Sequence, residues 1–117
     1  MNVEVNSNGT NKNIKAHILS DEEMREIGFT DRYEPHWYFC KGVAKDITFN
    51  VTIPKDGSDI EIITLDEMFC QPYNYQYILK NHPNLKYALD VKKKTEEWMQ
   101  YLINRGVLSG WNRGDYI

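Results

Sequence analysis

The sequence predicts an α+β fold: a three- to four-stranded antiparallel sheet with a long C-terminal helix packed on one face and one or two short helices. Three observations predict it. Ile47-Thr48-Phe49-Asn50-Val51-Thr52-Ile53 alternates apolar and polar residues without a fault. Ile60-Glu61-Ile62 answers it after a reversal at Pro54-Lys55-Asp56-Gly57-Ser58. Such alternation gives a strand one buried and one wet face, and Asp-Gly supplies the positive φ a tight reversal needs. Further on, Ala88, Val91, Thr95, Trp98 and Leu102 step by three and four, which lines one face of a helix.

The elements follow in order. Residues 1–13 contain five asparagines and little to bury, so they are expected as a flexible N-terminal arm before a single domain over 14–117. Lys15 to Leu19 suits a short strand. Ser20-Asp21-Glu22-Glu23 is a capping box: the Ser20 hydroxyl can accept the Glu23 amide, and the acidic residues suit the positive end of the helix dipole. Met24 and Ile27 form a small apolar stripe, and Gly28 stops the helix. Thr30 to Pro35 is a loop. His36-Trp37-Tyr38-Phe39-Cys40 carries bulky groups on both faces, so a strand covered on both sides is expected. Gly42 to Asp46 turns the chain into the hairpin, whose third strand runs from about Asp59 to Leu65.

A connector rich in aromatic residues spans Asp66 to Tyr75. A short helix can open at Pro72 and run to about Lys80; it must end before Pro83, whose ring drives His82 out of the helical region. The long helix covers Asn84 to Arg105, with Lys86, Asp90, Lys93, Glu97 and Asn104 on the side away from the sheet. Trp98 is its expected anchor. Gly106 closes it, and Val107 to Ile117 reads as a tail containing Trp111.

Composition narrows the function. The chain has 117 residues, enough for one core, with 41% hydrophobic, 13% aromatic and 26% charged residues. A net charge of -3 is too mild for a DNA mimic and has the wrong sign for a dedicated nucleic-acid binder. The first residues are polar, and no apolar run approaches the ~20 residues of a membrane helix. Reduced cysteines in a cytosolic protein are the expectation.

No residue cluster points to catalysis. His36 and Cys40 lie four apart, yet in a strand they stand ~13 Å apart at about 3.3 Å per residue and cannot share a metal. Cys70 sits near Asp66 and Glu67, which raise a thiol pKa rather than lower it, so packing beneath its loop is the expected role. Asp66 and Glu67 follow a strand end but face opposite ways, leaving Asp66 as a cap. In Lys92-Lys93-Lys94, Asp90 pairs with Lys94 at i,i+4 and Glu96 and Glu97 follow, which describes a solvated, charge-balanced face. Neither an enzyme, a metal nor a cofactor is expected.

Tyr73, Tyr75 and Tyr77 alternate in Gln71-Pro72-Tyr73-Asn74-Tyr75-Gln76-Tyr77, the most unusual local composition in the chain. Tyrosine joins a large apolar ring to a hydroxyl and suits interfaces, although the same rings could tile a core edge. The second sheet face carries Tyr38, Cys40, Ile63 and Leu65. Tyr38, Tyr73, Tyr75, Tyr77 and Trp111 are the expected partner-binding residues.

Leu65-Asp66-Glu67-Met68-Phe69-Cys70-Gln71-Pro72-Tyr73-Asn74-Tyr75-Gln76-Tyr77, with Leu102-Ile103-Asn104-Arg105-Gly106 and Ser109-Gly110-Trp111, resembles small uncharacterised proteins carried by phages and prophages of Gram-positive bacteria. The resemblance spans Phe49 to about Asp115. It implies an accessory gene on a mobile element and a bacterial host cytoplasm, and it carries over no catalytic residue. A non-enzymatic protein that binds a host or phage protein, as inhibitor or adaptor, is therefore the expected function. A small-molecule or nucleotide binder with its pocket under the 66–77 connector is the alternative. Nucleic-acid binding through Lys86 and Lys92 to Lys94 comes third, and strand His36 to Cys40 is apolar enough to pair two copies as a homodimer.

Overall fold

A computed structural model of the chain describes residues 13–57 and 59–114. The expected N-terminal arm lies outside them, apart from Asn13. The elements are β1 (Lys15–Ala16), α1 (Asp21–Ile27), β2 (His36–Ala44), β3 (Ile47–Pro54), β4 (Glu61–Asp66), β5 (Gln71–Pro72), α2 (Tyr75–Asn81), α3 (Lys86–Asn104) and β6 (Leu108–Ser109). β2, β3, β4 and β5 form one antiparallel sheet in that order, and β1 pairs with β6 in a second. This is the α+β architecture that the alternation and the helical stripe predict.

The central hairpin forms, with Val51 opposite Ile62 and Thr52 opposite Glu61. Trp37, Phe39, Phe49, Val51, Ile53 and Ile62 point to one face and are buried, packed with Val91, Met99 and Leu102 of α3. The reversal into β3 is shorter than expected. β2 runs through Ala44, and the turn is Lys45-Asp46 alone, with Asp46 left-handed at φ 64°. A bulge between Gly42 and Ala44 leaves Val43 as the extra residue, buried in the core, and sets Ala44 opposite the buried Ile47.

The long helix corrects the expected stripe. Ala88, Val91, Thr95, Met99 and Leu102 are buried, whereas Trp98 is half-buried at the edge. From Thr95 a step of four returns nearer the stripe than a step of three, because a turn takes 3.6 residues. Trp98 sets its ring edgewise to Phe39 and Tyr101, at 5.7 and 5.5 Å between centroids, with the Lys41 ammonium 5.3 Å away. Glu96, expected on a wet face, is buried. Its carboxylate accepts from Lys92 Nζ at 3.1 Å and from the Gly114 amide at 3.1 Å, tying down the chain beyond β6. The pair formed near the helix start is Lys86–Asp90 at 3.3 Å.

Both short helices carry side-chain caps. Ser20 Oγ accepts from the Glu23 amide and donates to Glu23 Oε1, while Gly28 takes φ 126° at the exit. α2 begins at Tyr75 rather than Pro72, because the Asn74 side chain accepts from the Tyr77 amide at 3.0 Å. The described residues after α3 are not a loose tail: Leu108 and Ser109 pair with Ala16 and Lys15, and the His17 amide donates to the Val107 carbonyl at 2.7 Å.

Candidate functional site

α3 packs on one face of the large sheet. The opposite face presents Tyr38 and Cys40 from β2, Thr48, Asn50 and Thr52 from β3, and Ile63 and Leu65 from β4, as strand alternation requires. Of these, Asn50 is buried at 5% exposure and Cys40 is exposed; the others are half-buried. A hydrogen-bond chain crosses the face. The Tyr38 hydroxyl donates to Asn50 Oδ1, Asn50 Nδ2 donates to Thr48 Oγ1 at 2.9 Å, and Thr48 Oγ1 donates to Glu67 Oε1 at 2.6 Å. Burial first, then the Cys40 thiol and the Glu67 charge, push the Tyr38 phenol up. It therefore keeps its proton at neutral pH and serves as a hydrogen-bond donor.

Tyr38 and Tyr33 together form the wall shared by two shallow grooves. One, of about 370 Å³, is lined by Tyr33, His36, Tyr38 and Thr52. The other, of about 310 Å³, is lined by Gly28, Thr30, Arg32, Tyr33, Tyr38 and Cys40. The Tyr33 ring stands edgewise to Tyr38 with centroids 5.8 Å apart. The loop that carries Tyr33 is held at several points. Thr30 and Tyr38 exchange backbone hydrogen bonds of 2.8 and 2.9 Å, and the Lys55 amide donates to the Pro35 carbonyl at 2.9 Å. Asp31 meets Arg25 at 3.0 Å and Lys55 at 3.5 Å, and Lys55 meets Glu34 at 2.6 Å. The Arg25 hydrogen bond holds the Asp31 carboxyl below the usual carboxylate range, and Glu34 holds the Lys55 ammonium above its ordinary value. Arg25 and Lys55 also lie 5.7 and 4.9 Å from the buried Trp37 ring.

The five expected partner-binding residues are not brought together. Tyr38 lies at the grooves. Tyr73 is half-buried at the other end of the sheet, edge-on to Tyr87 at 5.9 Å. Tyr77 is 65% exposed on α2. Tyr75 and Trp111 are corrected outright: at 2% and 6% exposure they belong to the core and present no ring to a partner. Asn74 explains Tyr75, because capping the helix there turns the next residue inward. Tyr33, Thr30 and Arg32 are site residues the sequence did not announce. Asn50 did leave a trace, since an amide on a strand that becomes buried needs a partner, and the donor is Tyr38, two residues along β2 from Asn50's cross-strand partner Cys40.

The remaining sequence candidates resolve simply. Asp66 is a cap, its Oδ1 accepting the amides of Met68 and Phe69 at 3.0 and 3.2 Å. Cys70 is not packed under its loop: it is exposed, at φ 51°, with its thiol 3.7 Å from the Glu67 carbonyl. β2 is not covered alike on both sides, since Cys40 is exposed. Among the described residues, no group of three or more His, Cys, Asp or Glu is placed to hold a metal, and no helix is long and apolar enough to cross a membrane.

The hydrogen-bond chain has a measurable consequence. Tyr38→Phe removes the donor to a buried amide oxygen, and leaving such an acceptor unmet costs about 1–3 kcal/mol. Urea unfolding of that variant should show this loss; an unchanged midpoint would mean that Asn50 does not depend on the phenol.

No family model matches the chain, and no curated protein matches it. Among solved structures, a DUF1831 family protein from Lactobacillus plantarum is similar at 12% identity, with a TM-score of 0.61 over 81% of this chain and 82% of that chain. At this identity the likeness is one of fold.

Proposed function

We propose that this protein is a non-enzymatic binding protein that docks another protein on the sheet face around Tyr38. In the setting that the sequence resemblance implies, the partner is a host or phage protein. One observation carries this: a half-buried tyrosine, locked by a hydrogen-bond chain, stands between two shallow grooves on a face that also presents Ile63 and Leu65. Rigid aromatic side chains with a polar tip give contact area at low entropic cost, and interface energy concentrates on such anchors. The protonated Tyr38 phenol fits a docking role better than that of a base or nucleophile.

A photo-crosslinker tests this. Benzoylphenylalanine in place of Tyr33 is expected to give a discrete covalent adduct with one protein in cells that carry the chain, and in place of Tyr77 to give none. Equal labelling from both positions, or from neither, counts against the docking face. The groove of about 370 Å³ supports a second reading, a small-molecule or nucleotide ligand, because its volume falls within the range of known ligand sites. A melting temperature raised by one member of a nucleotide panel would favour that ligand instead.

A further inference from the structure

We infer that the groove beside the β2 edge takes an acidic side chain of the docked protein. The inference rests on the docking face proposed above and adds the partner's chemistry. The observation behind it is a pair of cations without carboxylates. Around this edge of β2 stand Arg25, Arg32 and Lys55, and Lys41 approaches the same edge from the α3 side, over Phe39 and Trp98. Asp31 and Glu34 pair with Arg25 and Lys55. Among the described residues Arg32 and Lys41 have no carboxylate within ion-pair distance. Arg32 lines the groove, and the Lys41 Nζ lies 3.9 Å from where a Cβ on Gly28, another lining residue, would stand. Lys41 is held there by the faces of Phe39 and Trp98, 5.4 and 5.3 Å from its ammonium. Among the described residues, no carboxylate lines the groove.

Neutral donors complete it. Tyr38 spends its backbone N–H and C=O on Thr30, outside the sheet. In an antiparallel ladder the groups two residues on point the same way, so the Cys40 N–H also points outward, towards the gap that the chain leaves at Gly28. Thr30 Oγ1 accepts the Arg32 amide at 3.2 Å and keeps its own proton to give. Two cations, an amide and a hydroxyl around one groove match a carboxylate, which accepts several hydrogen bonds at once.

A nucleic-acid phosphate presents similar oxygens but fits the wider surface poorly. The chain carries a net charge of -3, and Glu67 stands at the far end of the same hydrogen-bond chain. A long polyanion laid over the face would meet it; a short acidic segment need not.

The test follows the Cys40 amide of the ¹⁵N-labelled full chain by NMR. The probes are a capped pentapeptide of alternating glutamate and tyrosine, its glutamine counterpart, and single-stranded oligothymidylate. The glutamate peptide is expected to move the Cys40 signal and to bind about fivefold more tightly than the glutamine peptide, the sum of two exposed ion pairs. The combined R32Q and K41Q variant should bind both peptides alike, with its other amide signals unmoved. High salt should remove the difference in the wild-type chain, which gives the same information without a substitution. Equal affinity for the two peptides, a still Cys40 signal, or tighter binding of oligothymidylate overturns the inference. A Tyr33 adduct that persists while the peptides bind alike removes the acidic partner and leaves the docking face standing; loss of the adduct removes the docking face itself.

Discussion

Phe39→Ala is expected to cost about 3–5 kcal/mol, as truncation of a fully buried phenylalanine does. Phe39 has 0% exposure and is the meeting point of the layers. Its ring centroid lies 5.1 Å from Phe29, 6.3 Å from Phe49, 5.7 Å from Trp98 and 6.5 Å from Tyr101. These neighbours come from the segment after α1, from β3 and from α3, so no single rearrangement can fill the void. Domains of this kind hold only about 5–15 kcal/mol in total, and the variant would sit near the edge of unfolding at room temperature. Urea titration should show a lower midpoint with the slope kept. Trp98→Ala should cost clearly less, because that ring is half-exposed and its neighbours can relax towards solvent. Equal losses at the two positions would show that α3 is rotated from the register described.

Gly110→Ala is the second large effect, and it lies just past β6, beside the two-stranded sheet. Gly110 has φ +87°, and a Cβ there would stand 1.9 Å from the Asn13 carbonyl oxygen. That distance is far inside van der Waals contact and the obstacle is backbone, so the first described residues must move. The left-handed conformation alone costs a residue with a side chain about 1–3 kcal/mol. The expected result is separation of β1 from β6, seen as faster hydrogen exchange at the His17 amide, which donates to Val107. An unchanged exchange rate together with unchanged stability would mean that the two ends do not meet there.

These two positions differ in how far sequence reasoning reaches them. Phe39 lies in a strand of five bulky residues, and its burial could be expected from alternation, although not its place at the centre of an aromatic cluster. Gly110 offers no local pattern at all. Its constraint comes from Asn13, 97 positions earlier in the chain, and only closure of the fold sets them side by side. The same holds for the candidate site. Tyr38 was legible as a polar-tipped ring on the second face of a strand. Arg32 and Thr30 sit in a loop of no periodicity and became site residues only when Thr30 bridged to β2. Tyr75 and Trp111 misled for the same reason in reverse, since a tyrosine or tryptophan in an irregular segment carries no sign of whether the chain folds back over it.

The sequence by itself determined the α+β architecture, the hairpin, the cap and stop of α1, and the end of α2 before Pro83. Those follow from side-chain period, from a hydroxyl cap, from glycine and from proline, all of which act within a few residues. Tertiary structure alone decided the rotation of α3 that buries Met99 and Glu96, the pairing of the two ends, and the gathering of Thr30, Arg32, Tyr33 and Tyr38 at one edge of the sheet. Each of these joins segments distant in the chain, and local propensity contains no term for what a residue will meet across that distance.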